Sequence, residues 1–287
     1  MRFRREKILE KILEKDPDIF KQNNQGYTTL MIAIITNNKI AETILEKILE
    51  KDQEINKQNT KGETALMLAI ESNKEKIVEK ILEKDPNLDL VNNKQETVLM
   101  YAIKNNMENI AKKILEKDKQ LNKKNIEGKT ALMYAIKYNM EKLVYKILEK
   151  GYDINETDNN NYTLLMYSII HKMENISNIL LEKNIDINKE NMNKETALII
   201  AIKERMENIA EKLLEKGAEI NKENYLGETE LMMAIEKKME NIAEKILEKN
   251  PNLDIKNYRG KTALQIAIEN NMVNIVKKNE EKIKEKK

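Results

Sequence analysis

The chain has 287 residues, and 51 Lys and Arg against 49 Asp and Glu leave a net charge of only +2, which excludes the single-sign field that draws proteins to nucleic acid or anionic membrane. With 40% apolar residues it can bury a core, and only three prolines and seven glycines favour helix over turn-rich β structure. No cysteine and one histidine, His171, exclude disulfides, thiolate metal sites and cysteine nucleophiles and leave little for triad or histidine-metal chemistry, so no enzyme, cofactor or metal site is expected.

In chain order, the basic start Met1–Lys7 leads into ILEKILEKD, whose charges interrupt any apolar signal region. Nowhere do 18 apolar residues run together. The expected compartment is the cytoplasm, with secretion without a cleaved signal left open. Residues 1–22 carry a single helical stripe, Ile8, Leu9, Ile12 and Leu13, which predicts an N-terminal capping helix.

A block Thr-x-Leu-Met/Ile then recurs with its Thr at 28, 64, 97, 130, 163, 196, 229 and 262, spaced 36 residues once and 33 thereafter. Each Thr can cap a short helix, because its hydroxyl can accept an orphan N–H of the first turn. In the clearest copy Leu132, Ala135 and Ile136 mark one helical face. Asn73, Asn106 and Asn139 can end that helix in the left-handed region. A second helix follows, with stripes such as Ile110, Ile114 and Leu115 or Ile242, Ile246 and Leu247. A polar link then carries Asn or Asp three residues before the Gly position, at Asn23, Asn59, Asn92, Asn125, Asp158, Asn191, Asn224 and Asn257. The predicted repeats are 23–58, 59–91, 92–124, 125–157, 158–190, 191–223 and 224–256, in one continuous domain. Residues 257–287 form a C-terminal capping repeat with a Lys-rich tail, in which Asn279 and Glu280 stand where an apolar pair is due and are expected to face outward. The three extra residues of the first repeat lie between Ile34 and Ile48.

The segment Asn125-Ile126-Glu127-Gly128-Lys129-Thr130-Ala131-Leu132-Met133-Tyr134-Ala135 resembles the signature of the ankyrin-repeat family, and eight copies in register extend the resemblance from about residue 23 to the end. It implies an all-α solenoid of about eight helix-turn-helix repeats with short extended loops and helical caps at both ends. The departures are systematic. Met31, Met67, Met100, Met133, Met166 and Met232 replace the signature His, with Ile199 and Gln265 as exceptions, so thioether packing in the seam replaces its hydrogen bonds. The signature Pro is absent from every copy, and Gln95, Asn161 and Lys194 stand where Gly is usual. Gln95 and Lys194 are expected to adopt αL at a cost.

The resemblance also implies a non-catalytic, monomeric protein-binding scaffold with a concave surface of first helices and loop tips, for instance an immunity protein, antitoxin, inhibitor or effector. The partner is another protein of unspecified identity. Tyr101, Tyr134 and Tyr167 share one slot of the first helix, and Asn105, Tyr138 and His171 lie four residues on, on the same face. The resemblance turns that slot toward the groove, as an exposed aromatic cluster suited to binding. The other reading of these rings is packing between repeats. At the tips, Tyr225, Leu226 and Tyr258, with Met192, are apolar where exposure is expected. An alternative function is binding of nucleic acid or another anionic polymer through Lys104, Lys137, Lys203 and Lys237, which salt would weaken steeply.

Overall fold

The computed structural model describes residues 21–36, 55–118 and 121–285. The expected capping helix around Ile8 to Leu13 and the lengthened segment between Ile34 and Ile48 lie outside the described residues. The chain divides into two compact units, Met1–Tyr152 and Asp153–Lys287.

Within the first unit the described helices are α1 (Thr29–Ile35), α2 (Ala65–Glu71), α3 (Glu75–Glu83), α4 (Val98–Lys104), α5 (Glu108–Lys117), α6 (Ala131–Lys137) and α7 (Glu141–Glu149). The first helices of successive repeats, α1, α2, α4 and α6, pack side by side, and α3, α5 and α7 form a second layer. The second unit repeats the plan. Here α8 (Leu164–Ile170), α10 (Ala197–Lys203), α12 (Glu230–Glu236) and α14 (Ala263–Glu269) form one layer. The other holds α9 (Glu174–Leu181), α11 (Glu207–Glu215), α13 (Glu240–Glu248) and α15 (Val273–Glu285). Among the described residues regular strands are absent, and extended structure is limited to single bridges such as Gln58 with Thr64.

Local chemistry explains each boundary. All eight predicted Thr caps form, each hydroxyl accepting the backbone N–H three residues on. At the exit of α4 the chain turns at Asn106 (φ 56°), whose N–H donates to Ile103 O, while Met107 N–H donates to Ala102 O. This is a Schellman closure, and it satisfies the carbonyls that a seven-residue helix leaves open. Asn73 and Asn139 do the same as expected, and Lys172, Arg205 and Lys238 take the same left-handed conformation without Asn's tolerance for it.

The signature-position methionines are buried to 0–1% exposure, so the seam is thioether packing where the family has His. The exception Gln265 caps α14 instead, its side chain accepting the Thr262 N–H at 2.8 Å. Gln95, Asn161 and Lys194 stand at φ 59°, 61° and 56°, in the conformation that Gly would take without cost. Asn279 departs from expectation. It is fully buried in α15 rather than facing outward, because it holds the core position taken earlier by Ile246, Leu213 and Leu180. Glu280 is exposed.

Candidate functional site

Each loop tip is built on its leading Asn or Asp. The Oδ1 of Asn92 accepts the N–H groups of Lys94 and Glu96, both at 2.9 Å, and the same pair of bonds recurs at all eight tips. An Asx turn of this kind holds the tip without regular strand pairing. Adjacent tips are joined by single backbone rungs, Asn93 N–H to Lys61 O at 2.8 Å in the first unit and Tyr258 N–H to Leu226 O at 3.0 Å in the second.

The remaining donors of the tip amide account for the tyrosines. Asn92 Nδ2 donates to Glu96 Oε2 at 2.9 Å and to the Tyr101 hydroxyl at 3.0 Å, and that hydroxyl donates to Glu63 Oε1 at 3.3 Å. Asn125 Nδ2 donates to the Tyr134 hydroxyl at 3.0 Å, and the Tyr167 hydroxyl donates to Asp158 Oδ2 at 2.8 Å. Tyr101, Tyr134 and Tyr167 are therefore not exposed groove residues: they are 8%, 5% and 8% accessible, with their hydroxyls tied to the tip nine residues upstream. Burial pushes the Tyr101 hydroxyl well above its ordinary range and that of Tyr134 up to about 12. Of the companion residues, Tyr138 stacks on Tyr134 and His171 on Tyr167, each with centroids 6.3 Å apart, and both reach the surface. Asn105 donates to the Tyr101 carbonyl at 2.9 Å and so finishes its own helix.

Two of the four lysines considered for polymer binding are spoken for. Lys104 pairs with buried Glu96 at 2.6 Å and Lys203 with buried Glu195 at 2.8 Å. Lys104 also lies 5.9 Å from the centroids of both Tyr101 and Tyr134. Burial alone would raise the Glu195 carboxyl, but hydrogen bonds from Asn191 and Lys203 outweigh it and hold the group below its usual value.

Each unit also contains a cup between tip and first helix that sequence reading missed. The first, about 520 Å³, is lined by Glu63, Asn92, Glu96 and Tyr101 among others. The second, about 330 Å³, is lined by Glu195, Asn224, Glu228 and Met233, the residues four 33-residue periods further on. The signal was present in the Asn-x-x-x-Glu spacing of the tips, but only coordinates show that its carboxylates face a hollow. The second cup is walled by Tyr225 and Leu226, where the first has Asn93 and Lys94.

Met192, Tyr225, Leu226 and Tyr258 are each more than half exposed. Ile126, in the same tip slot of the first unit, is equally exposed and was also missed. The Tyr258 ring lies over Gly227 (φ 69°), where a Cβ would meet its Cδ1 at 3.0 Å, so the glycine is needed for both its conformation and the ring's seat. Among the described residues no group of three or more His, Asp or Glu side chains is arranged to hold a metal ion, and no helix is long and apolar enough to cross a membrane.

A family model described as ankyrin repeats (3 copies) matches in overlapping segments, residues 2–90, 41–125, 84–158 and 132–224. The chain belongs to the ankyrin-repeat family. Its fold is shared with the ankyrin repeat domain of Bcl-3, a member of the IkappaB protein family, at a TM-score of 0.60 and 20% identity over 75% of this chain and 99% of that one. No curated protein matches the sequence. Ankyrin repeats generally serve as protein-interaction modules and are typically non-catalytic.

Proposed function

We propose that this chain is a non-catalytic protein-binding module whose second unit docks a partner protein on the tips carrying Met192, Tyr225, Leu226 and Tyr258. The observation that carries the reading is the exposure of these four large apolar side chains on three successive tips, beside a cup. Water leaves such surface favourably only when another apolar surface covers it. Tyrosine on a fixed tip adds contact area with little ordering cost, because the Asx turn and the backbone rung already hold the residue. Membership of a family whose repeats generally bind proteins supports the same reading. Binding of an anionic polymer draws less support, since Lys104 and Lys203 are neutralised by buried carboxylates.

Photocrosslinking tests it. A benzophenone side chain in place of Tyr225 or Tyr258 is expected to capture one discrete protein in cells, whereas the same group at exposed Asn241 on the outer face of α13 captures none. Equal capture at all three positions, or none at Tyr225 and Tyr258, removes the reading.

A further inference from the structure

Four of the loops that follow a second helix close on an Asx turn. In each, an Asn or Asp side chain accepts the N–H two residues on: Asn87 from Asp89, Asp153 from Asn155, Asp186 from Asn188 and Asn252 from Asp254, at 2.9–3.1 Å. Loop 219–223 has Glu219 at that place, and its longer side chain pairs with Lys222 at 3.0 Å instead. The missing acceptor comes from the helix beyond. Fully buried Glu230, at the first position of α12, takes the N–H of Asn221 at 3.0 Å on one carboxylate oxygen and that of Lys222 at 3.3 Å on the other. The backbone bends to reach it: Asn221 stands at φ 69°, in the left-handed region, where Asp89, Asn155, Asn188 and Asp254 do not.

The loop is also a joint. Asn221 Oδ1 accepts the N–H of Asn252 in the next repeat at 2.7 Å, as Asn188 Oδ1 accepts that of Glu219 at 2.9 Å. In the other loops an acceptor two residues away holds the turn; here turn and joint hang on a buried carboxylate nine residues on.

The charges that face Glu230 come from loops. Lys222 favours the anion, and its ammonium is shared by Glu219 at 3.0 Å and Glu190 at 3.2 Å. The helices packed on α12 bring apolar side chains: Ala197 and Ala263 stand at the same position of α10 and α14, and α13 turns Ile242, Ala243, Ile246 and Leu247 inward. Burial outweighs the hydrogen bonds and Lys222, and it lifts the carboxyl to about 7. An anion accepts on both oxygens. A protonated carboxyl carries a hydroxyl on one of them, which turns that oxygen into a donor facing an N–H.

We infer that Glu230 is a proton-operated latch: the anion fixes loop 219–223 and its joint to the loop after α13, and protonation releases them. The anion lowers global stability, because its burial outweighs its two hydrogen bonds, so release changes the shape of the loop and leaves the fold intact. The latch works whether or not a partner docks on the tips.

An NMR titration of the full chain between about pH 5.5 and 8.5 tests it, a range in which Asp153 and Asp186 stay ionised. The Glu230 carboxyl carbon is expected to titrate near neutrality. The amide resonances of Asn221, Lys222 and Asn252 should follow the same curve, with protection from hydrogen exchange about tenfold lower at the acid end. The amides of Asn155 and Asn188, held by Asp153 and Asp186, should stay still. Glu219→Asp combined with Glu230→Ala rebuilds the local turn and should remove the pH dependence from an ordered loop. Glu230→Gln, neutral throughout and with one acceptor oxygen, should hold the acid-end resonances at every pH. A Glu230 carboxyl that does not titrate in this range, or loop amides that stay still while it does, overturns the inference. So does a pH dependence that persists undiminished in the double variant or in Glu230→Gln.

Discussion

The side-chain amide of Asn92 donates to the hydroxyl of Tyr101 across nine residues, at 3.0 Å. The bond ties a loop tip to the helix behind it, and both residues are buried. Tyr101→Phe removes the acceptor and leaves Asn92 its bond to Glu96, so it should cost about 1 kcal/mol. Asn92→Ala also removes the Asx turn and should cost about 2–3 kcal/mol, from several bonds of that size. Urea unfolding gives the ranking, and hydrogen exchange at the Lys94 and Glu96 amides locates the loss. Equal effects of the two variants would contradict it.

Ser168 and Ser177 form a buried hydroxyl pair at 2.8 Å between α8 and α9, where the preceding repeat has Ala135 with Val144 and the following one Ala201 with Ala210. Each hydroxyl also donates to or shares a backbone carbonyl of its own helix, Leu165 or Met173. Removing one leaves the other with a poorer set of partners, for a cost of up to about 1 kcal/mol, while the double alanine variant should be nearly neutral. A double-mutant cycle in thermal unfolding reads this directly, and strictly additive losses would speak against it.

Glu230 is fully buried at the first position of α12, where five other repeats have Ala or Val. Its carboxylate accepts the N–H groups of Asn221 at 3.0 Å and Lys222 at 3.3 Å. Burial nevertheless dominates and pushes the carboxyl from 4.5 up to about 7. A raised carboxyl favours the fold below its unfolded value, and that contribution is lost as pH climbs through 7, on the order of 3 kcal/mol in all. Glu230→Gln should therefore melt above the parent at pH 8, with the difference closing by pH 5. A pH-independent difference would show that the side chain is not ionising in this window.

Asn279 is buried with both its amide oxygen and its amide nitrogen unpaired. Earlier repeats place Ile246, Leu213 and Leu180 there. Asn279→Ile exchanges a desolvated amide for apolar contact and should stabilise the C-terminal repeat by about 1–3 kcal/mol. Slower hydrogen exchange in α15 would register it, and unchanged or faster exchange would refute it.

Much of this was legible in the residues. Thr at a fixed spacing, followed by an apolar stripe, announces its own helix, because a cap and an amphipathic face act within one turn of chain. The apolar character of Tyr225, Leu226 and Tyr258 in polar tips was equally visible. The burial of Tyr101, Tyr134 and Tyr167 was not. A tyrosine on a short helix can turn its ring outward or inward, and the choice depends on whether a donor or acceptor waits for its hydroxyl.

The period, the capping threonines, the left-handed helix ends and the methionine seam are properties of the sequence alone, since each arises from interactions between residues a few positions apart or from apolar spacing. Tertiary packing decided which polar groups meet: it set Asn92 against Tyr101, faced Asn224 toward a sulfur instead of a phenol, and closed the core over Asn279. Contacts of that kind depend on where a loop tip stands above the next helix, a distance that no local pattern of residues encodes.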